Sequence, residues 1–208
     1  MGTEKGFKLL GIFFDEYLSF EHHIAKLHSK LSRALYMIKR VKHMLPKTAL
    51  RTLYFALIHS NLNYCLNIYS CATQTTLSKI VKKQKEAIRV ISNAQYRQHT
   101  APLFKDLKIL PLEKMMELGK LKVMHDYTQD RLPISFAETW ITNRQHNPDH
   151  NLRNADNFIV PPHNRESFKR FPLYTFPLTW NRADDNKYIP NKYTFIRSQK
   201  DRLINSIV

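Results

Sequence analysis

Lysine and arginine side chains dominate the first half of the chain, and phosphate binding is the chemistry that they suit best. No Asp or Glu occurs between Glu21 and Glu86. A stretch with one sign of charge is typical of surfaces that neutralise a polyanion, because each phosphate contact releases condensed counterions. Ordinary solvated helix faces are the alternative explanation. We predict that the binding residues include Lys26, Lys30, Arg33, Lys39, Arg40, Lys82, Lys83, Lys85 and Arg89.

The overall composition supports a polyanionic partner. The 208 residues include 33 Lys and Arg against 17 Asp and Glu, which gives a formal net charge of +16. Nucleic acid and anionic membrane surfaces are the usual partners of such proteins. No apolar run reaches the ~18 residues of a membrane span, and no signal stretch is visible, so an intracellular protein is expected. Two cysteines, Cys65 and Cys71, favour a reducing compartment over a disulfide scaffold.

The histidines and cysteines offer a weaker case for metal binding or catalysis. Cys65 and Cys71 lack the second pair that finger-like zinc sites have. His59 follows Tyr54 on an apolar face, and no nucleophile with an orienting acid accompanies it, so a core position is favoured over a catalytic one. We therefore predict no catalytic residue and no metal ligand in the chain. The remaining histidines of the first helix region are expected at the surface: His22, His23, His28 and His43.

Hydrophobic periodicity predicts helices that would position the basic residues. Ser19 is a candidate N-cap for a helix whose apolar residues recur every three or four positions. Pro46 suits the first turn of a second helix. A third helix is expected to begin near Thr75, with Gln84 on its inner face. Further helices are expected at about 112–127 and 192–207, while the segment 62–69 fits either a helix or an extended run.

The two ends of the chain differ from this helical pattern. The segment from Phe7 to Phe14 is apolar, which predicts strand structure with a kink at Gly11 and a polar turn at Asp15–Glu16. We expect the sheet partners of this strand to lie upstream. After residue 143 the sequence is rich in Pro, Asn and aromatic residues, which predicts a loop-rich cover packed on helices.

Several segments, in order, resemble the thumb and downstream region of non-LTR (LINE-type, jockey- or CR1-like) retrotransposon reverse transcriptases. Lys8–Gly11 with Phe14–Asp15 and Leu18–Phe20 is similar to the family's junction between the primer-grip hairpin and the thumb, where Trp is usual in place of Phe20. Leu53–Ser60 resembles a thumb helix of the family, and Leu62–Tyr64 continues the match. At the next position the family typically has Gly, where this chain has Cys65. The other matching blocks are 84–91, 96–104, 151–154 and 176–181.

The resemblance implies a mainly α fold: a small thumb-like helical bundle with a short N-terminal β-hairpin remnant and a loop-rich C-terminal half. The implied divisions are 1–18 for the hairpin, 19–142 for the bundle and 143–208 for the extension with its terminal helix. The implied partner is an RNA or DNA template–primer, which Lys8 and Gly11 would approach in the hairpin. Phosphate contacts of this kind position a duplex without reading its sequence.

The resemblance also implies what the chain is expected to lack. The family's fingers and palm lie upstream, and the palm carboxylates hold the Mg²⁺ ions of polymerisation. The pair Asp184–Asp185 has polar neighbours and follows the thumb-like region, so a solvated loop is favoured over a metal site. We expect a truncated copy or an incomplete gene product that needs no cofactor of its own.

Three other interpretations remain open. The Pro46 turn permits a helix-turn-helix, so a stand-alone DNA-binding module is one alternative. The helix from Phe20 to Lys42 has an apolar and a basic face, as membrane-surface helices do. A relic of a transposable element without a selected function is the third. For Tyr36, Tyr54 and Tyr96, core packing is favoured over stacking on bases.

Overall fold

The chain opens with a two-stranded antiparallel hairpin. A computed structural model describes residues 6–150, 153–183 and 185–207. Strand β1 (Gly6–Leu9) pairs with β2 (Ile12–Asp15), and Phe7 stacks on Phe14 across the pair. The connecting residues Leu10 and Gly11 have φ values of 46° and 83°. Positive φ at both positions is the signature of a type I′ turn, which favours glycine in the second position.

The turn predicted at Asp15–Glu16 is present and follows the hairpin. The Leu18 N–H donates to the Asp15 carbonyl at 3.0 Å, whereas the hairpin itself closes at Leu10–Gly11, where the sequence indicated a kink. Asp15 also ends β2 and accepts hydrogen bonds from the backbone N–H groups of Ser19, at 2.8 Å, and Phe20, at 2.7 Å. Ser19 was wrongly predicted as the N-cap, since the residue in that position is Phe20 in a left-handed conformation.

The remainder of the described chain is mainly helical, which confirms the predicted fold class of a mainly α protein with an N-terminal hairpin. The first unit contains α1 (Glu21–Val41), α2 (Lys47–Tyr54), a π-helical turn (Phe55–His59), α3 (Ser60–Asn63), α4 (Leu66–Tyr69), α5 (Gln74–Ile91) and α6 (Ala101–Leu107). Beyond these are α7 (Leu112–Thr128), α8 (Asn143–His146), α9 (Pro172–Asn181) and α10 (Lys192–Asn205), with 3₁₀ turns at Ile134–Phe136, Glu166–Arg170 and Asp185–Tyr188.

The segment that the sequence left undecided is helical but broken. Between α3 and α4, Tyr64 is extended and Cys65 is left-handed, with φ 51° and ψ 31°. Two short helices therefore replace one continuous helix. Pro46 precedes α2 at the N-cap position, one residue before the first turn in which it was predicted.

The chain divides into two compact units, Met1–Met115 with Leu203–Val208, and Met116–Arg202. In the first unit, the apolar stripe of α1 packs against α5, α3 and strand β2. Its buried residues are Ile24, Leu27, Leu31, Ala34, Leu35 and Ile38. The spacing of three and four residues places them on one face, which is why a basic helix packs into the core of this unit.

The second unit has an aromatic core. Trp140, Phe158, Phe176, Trp180 and Phe195 are buried together with Leu121 and Met124. Pro172 occupies the first turn of α9, a position that needs no backbone donor. Four of the aromatic residues after position 143, Phe158, Phe176, Trp180 and Phe195, therefore belong to a packed core.

Candidate nucleic-acid interface

Helices α1 and α5 border a basic groove of about 650 Å³, called the α1/α5 groove below. Six cationic residues line it, together with one acid, Glu86. The cations are Lys39, Lys42, Lys82, Lys85, Arg89 and Arg97. Four of them were predicted from the sequence, namely Lys39, Lys82, Lys85 and Arg89. The groove concentrates positive charge where the acid-free segment of the chain packs on itself.

Two of the predicted phosphate ligands already have an anionic partner in this region. The ammonium groups of Lys39 and Lys83 lie 2.6 Å and 3.1 Å from the two carboxylate oxygens of Glu86. Burial would raise the pKa of Glu86, but hydrogen bonds from both lysines outweigh it and hold the pKa below its ordinary value. Glu86 is therefore ionised at neutral pH and partly neutralises the groove.

Buried hydrogen bonds fix α5 in position. Gln84 is buried, and its amide nitrogen donates to the Tyr54 hydroxyl, at 2.9 Å, and to the Leu110 carbonyl, at 3.0 Å. Its oxygen accepts from the Leu112 backbone N–H at 2.8 Å. Lys82 and Lys85 lie on the outward side of α5, and the buried hydrogen bonds of Gln84 hold the helix that carries them.

A second groove, the hairpin groove, lies between the β-hairpin, α1 and α3. Its volume is about 510 Å³, and it brings together the predicted residues Lys8, Gly11, Lys26 and Lys30 with His23, Asn61 and Tyr64. The ammonium group of Lys26 lies 3.5 Å from the centre of the Phe13 ring. Burial, and then the charges of Lys30 and His22, lower the pKa of His23, which biases this imidazole towards its neutral form.

Gly11 has a structural explanation in this groove. The Tyr64 hydroxyl donates to the Leu10 carbonyl at 2.6 Å, which ties the hairpin turn to α3. A Cβ atom on Gly11 would meet Tyr64 Cε1 at 3.8 Å, an ordinary contact. The positive φ, and not crowding, is therefore what favours glycine. Contact of Gly11 or Lys8 with a nucleic acid stays a prediction.

The two grooves lie on opposite flanks of α1. Lys30 and Lys39 are nine residues apart, about two and a half helical turns, and such a spacing reverses the direction of the side chain. Arg33 and Arg40 are exposed and line neither groove. The predicted cations therefore form two clusters joined by an exposed ridge, where the sequence suggested one continuous surface.

Sequence reasoning did not select two cations of the α1/α5 groove, Lys42 and Arg97. The charge pattern could have identified Lys42, which belongs to the acid-free stretch, and the family resemblance could have identified Arg97, which belongs to a matching block. Tyr96, which also lines the groove, was considered for stacking on bases but assigned to the core. The prediction of core packing is wrong for Tyr96, which is 85% exposed, and for Tyr36, which is 60% exposed. The same prediction is confirmed for Tyr54, which is buried.

The remaining candidates form no reactive site in the described part of the chain. His59 packs against the Phe55 and Tyr54 rings. Cys65 and Cys71 are both in the thiol form. No group of three or more His, Cys, Asp or Glu that could hold a metal occurs among the described residues. Asp184 and the Asp185 side chain, like Asn151–Leu152, lie outside those residues, so the interpretation of the aspartate pair stays a prediction.

Two further observations bear on partners. None of the described helices combines the length and the apolar character that crossing a bilayer requires. A groove of about 650 Å³ in the second unit is lined by Asp130, Glu138 and apolar residues such as Ile134, and no Lys or Arg lines it. Of these three grooves, the two on α1 are therefore the ones that bring cations together.

Comparison with known proteins adds an evolutionary relationship to this geometry. No protein-family model matches the chain, and no solved structure matches it. Among curated proteins, the chain is similar to the RNA-directed DNA polymerase from the mobile element jockey of Drosophila funebris, with 30% identity over 118 residues. The match covers 55% of this chain and 13% of the relative, so the chain spans a small part of that protein. The similarity supports a relationship between this chain and reverse transcriptases.

Proposed function

We propose that the chain is the thumb region of a retrotransposon reverse transcriptase and that it binds a template–primer through backbone phosphates. The observation that carries the proposal is the α1/α5 groove, where six cationic side chains face one carboxylate. Phosphate contacts made by flexible cations position a nucleic acid without specifying its sequence. The order of the family-like blocks and the similarity to the jockey polymerase support the same assignment.

Polymerisation itself is not assigned to this chain. Phosphoryl transfer by polymerases relies on paired metal ions held by carboxylates. The described residues include no group of three or more His, Cys, Asp or Glu that could hold a metal. We therefore propose that the fingers and palm of the polymerase supply that chemistry and that this region contributes binding.

A salt titration tests the proposed binding. Fluorescence anisotropy of a labelled RNA–DNA heteroduplex is measured with the full chain over a range of salt concentrations. If about five phosphates are neutralised, the slope of log K against log salt is about −4 to −5. A slope near zero would overturn phosphate binding.

Matched charge removals locate the binding site. We expect the double variant Lys82→Ala/Lys85→Ala to reduce the steepness of the slope by about 2, since two cations of the groove are removed. The control Lys105→Ala/Lys108→Ala removes the same charge from two exposed positions outside both grooves and should leave the slope nearly unchanged. Equal effects of the two pairs would exclude a localised interface.

Competition experiments separate the alternatives. Unlabelled duplexes of unrelated sequence should compete equally, because backbone contacts ignore the bases. A strong preference for one sequence would favour a helix-turn-helix module instead. Flotation with anionic vesicles in the absence of any nucleic-acid affinity would favour a membrane-surface helix.

A further inference from the structure

The aromatic ring of Tyr96 projects at the edge of the α1/α5 groove. Tyr96 lines that groove and is 85% exposed, although a tyrosine ring usually finds a packing partner. Within the part of the chain that the structure describes, no ring stacks on it. An exposed ring beside a row of cations combines the two elements from which single-strand binding surfaces are built.

The loop that carries Tyr96 is tied to α5. The backbone N–H of Gln98 donates to the Gln95 carbonyl at 3.1 Å, so Tyr96 and Arg97 occupy the centre of a closed turn. Arg89 Nε donates to the Gln98 carbonyl at 2.9 Å and anchors this turn to the helix. The ring is therefore presented by a braced turn, and less ordering is needed when a ligand binds.

The exposed ring of Tyr96 offers a single strand a contact that a duplex cannot use. In a duplex both faces of each internal base are covered by its neighbours. A single strand presents free base faces while its phosphates remain available to Lys42, Lys85 and Arg97.

We propose that the α1/α5 groove binds single-stranded nucleic acid, with its cations on the phosphates and one base stacked on Tyr96. This inference rests on the proposed function, since it names the form of nucleic acid that the same groove accepts. Stacking on an aromatic face tolerates any base, so the groove takes DNA or RNA without a defined sequence.

Ring substitutions test the stacking contact. The probe is a labelled oligothymidylate of about ten nucleotides, within the range of single-strand site sizes. Its affinity for the full chain is measured by anisotropy at fixed salt. We expect Tyr96→Ala to weaken binding by on the order of tenfold, the usual effect of losing one stacked base, and Tyr96→Phe, which keeps the ring, to bind nearly as the unaltered chain does.

Two controls complete the test. Tyr193→Ala removes an equally exposed tyrosine from α10, 84% exposed, and should leave the affinity unchanged. A blunt duplex of the same length should be bound independently of Tyr96. Circular dichroism of each variant confirms that the helices are retained.

The possible results separate this inference from the proposed function. If Tyr96→Ala leaves single-strand affinity unchanged, or if Tyr96→Phe loses as much as Tyr96→Ala, stacking is excluded while phosphate binding stands. The same holds if Tyr96→Ala weakens duplex and single strand equally. If the unaltered chain binds neither probe, both proposals fall.

Discussion

At the scale of single residues, one departure from the family pattern lies at a strained backbone position. Cys65 adopts a left-handed conformation between α3 and α4, at the position where the resembling family has glycine. A residue with a Cβ atom adopts this conformation at a cost of about 1–2 kcal/mol, which glycine avoids. The helix break is therefore formed here by a residue that is not well suited to it.

We expect Cys65→Gly to stabilise the chain by about 1 kcal/mol, because it relieves the left-handed strain at a modest entropic cost. Urea unfolding followed by circular dichroism measures the change. Cys65→Ala removes the same thiol but keeps a Cβ atom, so it should have little effect. Equal stabilities of the two variants would show that the strain at position 65 is not significant.

Asp15 links the hairpin to α1. Burial would raise its pKa, but hydrogen bonds from the backbone N–H groups of Ser19 and Phe20, and from the Ser19 hydroxyl, hold the pKa below its ordinary value of 3.8. A depressed carboxyl pKa contributes stability at pH values above the unfolded pKa. That contribution is lost as the pH falls through the lower pKa of the folded state.

Asp15→Ala is expected to destabilise the chain by about 1–2 kcal/mol at neutral pH, as the loss of other capping side chains does. The difference from the unaltered chain should shrink below about pH 4, where protonation removes the charge that accepts these hydrogen bonds. Unfolding free energies measured between neutral and acidic pH test this. A difference that stays constant with pH would contradict an ionic role for Asp15.

These residues mark a limit of sequence-based prediction. Apolar spacing identified α1 because one face of that helix is continuously buried. Gly11 indicated a kink and a possible hairpin turn, but the sequence did not show its geometry, since an apolar leucine in a positive-φ position carries no turn signal of its own. The role of Asp15 as a backbone acceptor also depends on how β2 meets α1, which is a three-dimensional relationship.

At the scale of elements, one buried amide connects three parts of the first unit. Gln84 of α5 bonds to Tyr54 of α2 and to the backbone on either side of Pro111. Gln84→Leu would leave the Leu112 N–H and the Leu110 carbonyl without these partners. Each unsatisfied buried group costs about 1–3 kcal/mol.

We therefore expect Gln84→Leu to lower the free energy of unfolding by about 2–4 kcal/mol. Gln74→Leu is the matched control, because Gln74 is exposed in the first turn of the same helix. Chemical denaturation of both variants measures the difference. If Gln84→Leu is as stable as the control, the buried network does not hold α5.

The ion pairs between α1 and α5 belong to the same scale but affect binding more than stability. Glu86 pairs with Lys39 and Lys83, and about a third of its side chain is exposed, so its net contribution to stability is below about 1 kcal/mol. It is also the acid that a phosphate entering the α1/α5 groove must approach. Glu86→Gln should therefore strengthen nucleic-acid binding several-fold at low salt, with a steeper dependence on salt.

Anisotropy titrations of Glu86→Gln test this expectation. Glu113→Gln is the control, since it removes an exposed acid of α7 that lines neither groove on α1. A similar gain for the control would mean that the effect is one of overall charge. Weaker binding by Glu86→Gln would indicate that the carboxylate orients the lysines for the ligand.

At the scale of the whole molecule, the sequence predicts the excess of positive charge but not how the cationic side chains are grouped in space. A net charge of +16 and an acid-free stretch from Glu21 to Glu86 predict a polyanion partner. They do not predict two grooves, because this depends on which side chains share a flank of α1. Lys42, Lys85 and Arg97 come from three segments that only packing brings together.

The two grooves lead to a prediction about stoichiometry. Lys26 and Lys42 are separated by about 24 Å along α1 and lie on different flanks. A probe of about three nucleotides, which spans roughly 10 Å at ~3.4 Å per nucleotide of one strand, therefore cannot engage both grooves at once. At low salt we expect two such strands to bind each chain, as measured by isothermal titration calorimetry. Lys82→Ala/Lys85→Ala should weaken one site and Lys26→Ala/Lys30→Ala the other, whereas one site weakened equally by both pairs would mean that the cations act as one continuous surface.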